Sequence, residues 1–556
     1  MRTQRAFVDS FRVSRYRKCM DHDTPPRARS AASPAREVEL KLETDRTALQ
    51  RLKKAAPPPG FTVARAVTKP LQSIYFDTPD LALKTARWSL RVRKTGGSWV
   101  QTVKAGTGVV GGLSTPREHE VPVAGPMPDL TRIDDADLRE RLWRLLDGAV
   151  LDPVFETAMT RTKRVFSGPD GAVIECALDA GEIRAGERSQ PLFEAELELK
   201  DGPVESLFAL AEGLAGLGSA RLSRFTKAER GYRLVAGENG PAEAFKAEKA
   251  GVTSRDTVED AFRAILRSCL VQIAANRDAA LDSDAPEGPH QLRVGLRRLR
   301  SALKVYGKAL APETRERLDT DAQDLATRVG ALRDLDVLAA EIVAPALAAA
   351  PEELAEPARE RLSRALTTRR LATRRDLRAH LEGPAVNALV FHLGQIAEGD
   401  AWREAARAAH GVEIDAVWDA PLAGFAAKAM AKRWKAVARL GARLDELNLE
   451  ERHDMRKALK KLRYTLEFFR PVFDRKTLKP FLSRLKRLQD VFGYLNDVVM
   501  AHTLVRLVAE EAEGDTEPTL AAGYVLGWHD ARATHAWQDT RALWDDTRAA
   551  DRFWTS

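Results

Sequence analysis

Between residues 36 and 235 the apolar positions recur at every second residue, in short runs. "EVELKLE" (37–43) sets Val38, Leu40 and Leu42 against Glu37, Glu39, Lys41 and Glu43. "SLRVRK", "WVQTVKAG", "EHEVPVAG", "RTKRVF", "AVIECALDAGEI" and "FEAELELK" alternate in the same way. Period two belongs to strands, whose successive side chains point to opposite faces. Turn formers such as "TGG", "SGPDG" and "KDGP" separate the runs, a spacing that predicts an antiparallel sheet or barrel. Two stretches, near 129–147 and 203–217, switch to helical spacing. Residues 236–255 are polar and rich in Gly and Ala and read as a linker. From 256 to 556 apolar residues return at three- and four-residue spacing, broken at prolines in "DAPEGPHQ", "ALAPETR" and "FRPVFDRK". The pattern predicts an α+β half followed by an all-α half.

Composition adds limits. A chain of 556 residues exceeds one ordinary core, which agrees with two domains. Its charge of +8 is modest for this length and matters only where it is concentrated. Cys19, Cys176 and Cys269 form no CxxC pair, which argues against a disulfide framework or a zinc site and for a reducing cytosol. No apolar run reaches the roughly 18 residues of a membrane span. The first 35 residues are arginine-rich without an apolar core and read as a disordered basic tail, not a secretory signal.

Charge changes the picture of the first half. The polar face of "EVELKLE" carries three acids and a lysine. "SLRVRK" puts Arg91 and Arg93 on one face, "WVQTVKAG" adds Lys104, and "RTKR" places Arg161 beside Lys163. "FEAELELK" mirrors the opening strand with Glu194, Glu196, Glu198 and Lys200. On a single strand this would be a solvated face of weak ion pairs. Repeated on strands of a closed barrel, where alternate residues face inward, it describes a charged lumen. Carboxylates chelate hard cations, and Arg and Lys bind phosphoryl oxygens, so the contents would be a metal-bearing polyanion.

These blocks, with "YFDTPDLALKTARWSLRVRK" and "SRFTKAERGY", occur in the order found in the CYTH domains, or triphosphate tunnel metalloenzymes, which 36–235 resembles. The resemblance implies an eight-stranded antiparallel β-barrel tunnel that hydrolyses triphosphate compounds with Mg²⁺ or Mn²⁺. It implies metal ligation by Glu37, Glu39, Glu196 and Glu198, and phosphate binding by Lys41, Arg91, Arg93, Lys104, Arg161, Lys163 and Lys227. Glu37, Glu39 and Lys41 would form the catalytic motif. Glu118, Glu120, Glu175 and Asp179 are further carboxylate candidates. There is no Walker A motif.

The second half contains a duplication. "HQLRVGLRRLRSALKVY" from His290 and "HDMRKALKKLRYTLEFF" from His453 align without gaps, 163 residues apart. The same offset pairs Asp334 with Asp497. On a helix, His290, Arg293, Arg297, Arg300 and Lys304 share an arc of roughly 80° beside an apolar stripe. His453, Arg456, Lys460 and Arg463 form the matching stripe, flanked by Lys457 and Lys461 as Arg298 flanks the first. The repeats resemble the CHAD domain, which implies duplicated four-helix bundles over 256–556 and binding of inorganic polyphosphate along these basic faces. The stripes lack the interleaved aromatics expected for single-stranded nucleic acid, which argues against that partner.

The expectation is a cytoplasmic inorganic triphosphatase joined to a polyphosphate-binding domain that would dock on polyphosphate granules. Two alternatives stand beside it. One is a catalytically weak polyphosphate scaffold. The other is a tunnel acting on thiamine triphosphate, or on ATP as a class IV adenylate cyclase does.

Overall fold

A computed structural model describes residues 38–106, 112–114, 117–216, 220–238, 240–352, 356–511 and 517–555. Glu37 and the basic N-terminal tail lie outside the described residues.

The alternating runs form eight strands of six or more residues: β1 (Val38–Glu43), β2 (Val67–Asp77), β3 (Trp88–Thr95), β4 (Ser98–Ala105), β5 (Arg117–Val123), β6 (Asp152–Ser167), β7 (Val173–Ala185) and β8 (Arg188–Asp201). They pair antiparallel in the order β1–β8–β7–β6–β2–β3–β4–β5. Connections are tight: β3 turns into β4 through Gly96 and Gly97, and Gly96 takes φ +61°, the left-handed backbone that a two-residue hairpin needs. The closed ring expected from the sequence is not completed by hydrogen bonds. Among the described residues no pairing joins β5 to β1. The two-residue strand Leu113–Ser114 pairs with β1 instead, opposite Leu40 and Glu39.

Two helices complete this half. α1 (Val204–Ala215) packs outside the sheet, and α2 (Lys227–Ala236) begins at a capping box formed by Thr226 and Glu229. That box fixes the first turn of α2, and Lys227 is its first residue.

The helical half opens with α3 (Val258–Asp282), α4 (Glu287–Tyr306), α5 (Pro312–Val337), α6 (Glu356–Leu381) and α7 (Pro384–Glu398). It continues with α8 (Leu422–Gly441), α9 (Leu449–Phe468), α10 (Arg475–Glu511), α11 (Glu517–Gln538) and α12 (Thr540–Ala549). The starts of α3, α4 and α5 recur at α8, α9 and α10 in the register of the duplication. α3, α4, α5 and α7 pack into one bundle, and α8, α9, α10 and α12 into another. The apolar stripe of α4, from Leu292 to Tyr306, is fully buried, as are Met455, Leu459, Leu462 and Leu466 of α9.

The sheet half and the first bundle share one core, which runs from Leu40 and Phe166 through Phe208 to Leu292 and Trp418. At this boundary Phe208 of α1 lies so near Gly394 of α7 that a Cβ there would meet its ring at 2.5 Å. Glu205 Oε1 accepts the amide protons of Asp400 and Ala401, at 2.6 and 2.8 Å. The segment between α2 and α3 is strapped down by Asn276, which exchanges two 2.9 Å hydrogen bonds with the Phe245 backbone.

Candidate functional site

The inward row of β1 is charged and buried: Glu39 and Lys41 are only 8% and 6% exposed. Register explains their company. Glu39 stands opposite Glu198 and Lys41 opposite Glu196. Glu198 faces Glu175 across the next pair, Glu194 faces Asp179, and Asp179 faces Arg161. From the other arm of the sheet come Arg91, Arg93, Lys104, Glu118 and Glu120, and α2 contributes Lys227 and Arg233. Together they surround a cavity of about 540 Å³.

At its floor lies an ionic knot. Glu196 accepts from Lys41 Nζ at 2.6 Å, Lys227 Nζ at 2.8 Å and Arg161 Nη2 at 2.6 Å. Arg161 also grips both oxygens of Asp179, at 2.8 and 2.6 Å. Lys227 reaches Asp179 at 2.9 Å and touches Glu194. Lys41 pairs in addition with Glu39 at 2.7 Å. An ammonium at the first turn of α2 opposes the helix dipole, and these three carboxylates offset that cost.

The knot sets the charge states. Burial opposes the charge on Lys41, yet Glu196, Glu39 and Glu194 raise its pKa above the ordinary lysine value. Lys227 behaves alike, against burial, through Asp179, Glu194 and Glu196. Burial also opposes ionisation of Asp179 and Glu196, but Lys227, with Arg161 for Asp179 and with Lys41 and Arg161 for Glu196, holds both below the usual carboxylate range. Glu194 goes the other way: burial pushes it up to about 7 in spite of Lys227.

Above the knot the cations are less well matched. Arg93 forms no ion pair among the described residues, and its side-chain hydrogen bond runs to Ser73 Oγ at 3.2 Å. Burial, with Arg91 and Arg161 close by, lowers its pKa to about 10. Arg91 meets Glu118 at 3.4 Å, but its buried Nε has no partner. Lys104 pairs with Glu118, and Lys163 with Glu175 at 2.7 Å.

Two carboxylate groups could hold a cation. The oxygens of Asp179, Glu194 and Glu196 converge within 4.8 Å, but Lys227 Nζ already stands among all three. The other group is the row Glu39, Glu198 and Glu175, neighbours across three adjacent strands. Like charges directly opposite one another repel. Here each is drawn to a lysine, Glu39 to Lys41, Glu198 to Lys200 at 2.5 Å and Glu175 to Lys163. Hard oxygen donors lining an open cavity suit Mg²⁺ or Mn²⁺, so this row fits such an ion better than the knot does.

A second cationic cluster forms where α4 meets α9. Arg293 and Arg297 face Arg456 and Lys460, with Asp334 and Asp497 beside them. The two repeats give matching ion pairs, Arg293–Asp334 at 2.5 Å and Arg456–Asp497 at 3.5 Å. The buried Nε atoms of Arg297 and Arg456 have no partner. Burial and the three arginines depress the Lys460 pKa to about 6.

The described tunnel candidates named from the sequence thus share one cavity, with Asp179 just beneath it. The helical candidates divide. Arg300 is bound to Asp319 at 2.7 Å, Arg463 to Glu467 at 2.8 Å, and Lys304 is exposed. His453 meets Asn496 at 2.7 Å, and burial lowers the pKa of His290, with Arg333 adding to the effect. Arg298 turns away from the stripe into the bundle, donating to Gln272 and Ser268. Sequence reasoning missed Glu194 as a member of the knot, and missed Arg87 and Arg233 on the cavity wall. Glu194 carried a signal, since it begins the same alternating row as Glu196 and Glu198.

The CYTH domain model matches residues 35–232 and the CHAD domain model residues 264–506. The chain is 33% identical over 175 residues to an inorganic triphosphatase of Haemophilus influenzae, an overlap of 31% of this chain and 48% of the relative. It therefore spans about half the length of that curated relative. It is 25% identical over 464 residues to an uncharacterized protein of Mycobacterium tuberculosis, covering 78% of this chain and 83% of that one. Among solved structures, the CHAD domain of the plant Ricinus communis shows 28% identity, covers 56% of this chain and 98% of its own, and has a TM-score of 0.47. The chain belongs to the CYTH family over its sheet half and to the CHAD family over its helical half.

Proposed function

We propose that the sheet domain is a metal-dependent triphosphatase whose preferred substrate is inorganic triphosphate, and that the helical domain binds inorganic polyphosphate. The observation that carries the first part is Arg93: a partly buried guanidinium, without a carboxylate partner among the described residues, that faces the cavity beside Arg91 and Arg161. Three guanidiniums held together lower one another's pKa, and a polyanion between them would relieve that repulsion. The relative from Haemophilus influenzae points to the same chemistry.

In this reading Arg91, Arg93, Lys104 and Lys163 hold the phosphate oxygens. Lys41 and Arg161, kept charged by the knot, fix the inner end of the chain, and Glu196 holds their side chains in place. Glu39 and Glu198, with Glu175 alongside and Glu37 preceding them in the motif, would hold Mg²⁺ or Mn²⁺. Such an ion supplies charge neutralisation on the phosphates and lowers the pKa of water. Water adds to the terminal phosphorus, the bridging P–O bond breaks, and the products are phosphate and pyrophosphate.

For the helical domain, the support is the cluster of Arg293, Arg297, Arg456 and Lys460, whose four cations have only Asp334 and Asp497 as nearby acids. A bare phosphate chain matches such a set. Lys304 and the two histidines at the helix starts extend it.

Phosphate release from tripolyphosphate, ATP and thiamine triphosphate, with Mg²⁺, with Mn²⁺ and with neither, tests the enzymatic part. Tripolyphosphate should turn over fastest, only with metal, and Glu39→Gln should lower kcat by at least about a hundredfold. Absence of turnover with every substrate and metal would leave the scaffold reading in its place.

A further inference from the structure

The tunnel cavity continues past its own wall. Arg87 and Phe225 line both it and a second cavity of about 600 Å³ between the sheet domain and α3. Ser268 and Val271 of α3 bound that cavity, and so does Phe245, held by Asn276. The shared core fixes the two domains on either side.

The charges in this junction cavity are unbalanced. Arg87 and Arg224 form no ion pair among the described residues. Arg87 sits at φ +61°, in the left-handed region that disfavours a residue with a Cβ, so its placement is imposed by its surroundings. The Arg224 guanidinium lies over the Phe225 ring, 5.3 Å from its centroid, and that of Arg233 lies over the same ring at 4.7 Å. A guanidinium stacked in this way keeps its N–H edges free for an anion. Of the nearby acids, Glu229 is engaged by the Thr226 amide at 2.7 Å in the capping box. Arg267, the other arginine of the wall, is already bound to Glu398. A neighbouring cavity of about 690 Å³ also touches Phe225, but carboxylates there match the guanidiniums, with Arg221 paired to Asp278 at 3.3 Å. It is not suited to an anion.

We propose that the junction cavity is a phosphate subsite continuous with the tunnel, where Arg87 and Arg224 hold the outer phosphates of a linear chain longer than triphosphate. This rests on the triphosphate reading of the tunnel and names a longer substrate for it. The two guanidiniums over Phe225 favour a bare phosphate chain over a nucleotide, because a base could stack there only by displacing one of them.

The test is inhibition of tripolyphosphate turnover by size-fractionated linear polyphosphate, followed as release of labelled phosphate from labelled tripolyphosphate. Every arm carries Arg293→Ala and Arg456→Ala in the full chain, so that the helical cluster does not capture the long chains. Longer chains should inhibit at concentrations about tenfold below those needed for pyrophosphate. Arg224→Glu should cut that advantage about tenfold more than it changes the KM for tripolyphosphate, and Arg224→Lys should retain most of it. Long chains without an advantage, or an advantage unchanged by Arg224→Glu, would overturn the subsite alone. No turnover of tripolyphosphate would overturn the reading beneath it, and the subsite with it.

Discussion

The tunnel floor and the α4–α9 contact both gather cations out of water, and they treat a buried lysine in opposite ways. Lys41 and Lys227 sit among four carboxylates and are held charged beyond the ordinary lysine range. Lys460 sits among three arginines, and its pKa falls to about 6. Burial opposes charge in all three, so the neighbours decide the outcome. The floor is a neutralised scaffold that positions ligand-facing groups, whereas the helical cluster has an unmet demand for anions. Activity and stability should therefore respond together in the first region and separately in the second.

The largest effect is expected at Glu196. Glu196→Gln removes the acceptor shared by Lys41, Arg161 and Lys227, leaving buried charge uncompensated, a defect that typically costs about 3–5 kcal/mol. Urea denaturation should show the sheet domain unfolding at clearly lower denaturant, and tripolyphosphate turnover should be lost. An unchanged midpoint would mean that the knot does not hold the sheet together.

Glu198→Gln separates the carboxylate row from the knot. Glu198 touches Lys200 and not the three buried cations, so the midpoint should move little. The metal concentration for half-maximal activity should rise about tenfold or more, the usual scale for loss of one ligand's contribution. If that concentration stays put while activity falls, the row does not hold the ion.

How much of this was legible follows from what each signal encodes. Period two along "EVELKLE" and "FEAELELK" tells which residues share a face, so the sequence alone groups Glu39, Lys41, Glu196 and Glu198. It does not tell which partner each charge takes. That depends on the register that sets Lys41 opposite Glu196 and Glu194 opposite Asp179, and on α2 delivering Lys227 from outside the sheet. Alternation predicts inward faces but not closure, and the β5–β1 edge is not joined by hydrogen bonds among the described residues. In the helical half, periodicity gives the basic arc of α4, and the duplication gives its counterpart on α9. Neither says that the arcs meet midway, at Arg293, Arg297, Arg456 and Lys460, while Arg298, next in sequence to Arg297, turns inward to Gln272.

A pH series sharpens the contrast at Lys460. Its folded pKa lies below its ordinary 10.5, so between about 6 and 10.5 unfolding takes up a proton, and this residue's contribution to stability rises with pH across that window. Binding of a polyanion favours the charged form, so polyphosphate affinity should fall several-fold as pH rises from 6 to 8. Lys460→Arg, which stays charged, should flatten that dependence even though His290 still titrates. A slope that persists in the arginine variant would assign the titration to another group.

The smallest effects should come from the ends of the two stripes. Arg300 and Arg463 belong to the same helical faces as Arg297 and Lys460, but each is half exposed and already bound to a carboxylate, Asp319 or Glu467. Surface pairs of this kind contribute roughly 0–1 kcal/mol. A ligand that recruits either arginine must first break its pair, so the gain is small. Arg300→Ala and Arg463→Ala should each change retention on a polyphosphate resin by less than about twofold, against about tenfold for Arg297→Ala, whose Nε has no partner in the protein. Equal losses at all three positions would mean that the chain lies along the whole stripe and that the meeting point of the helices has no special part in holding it.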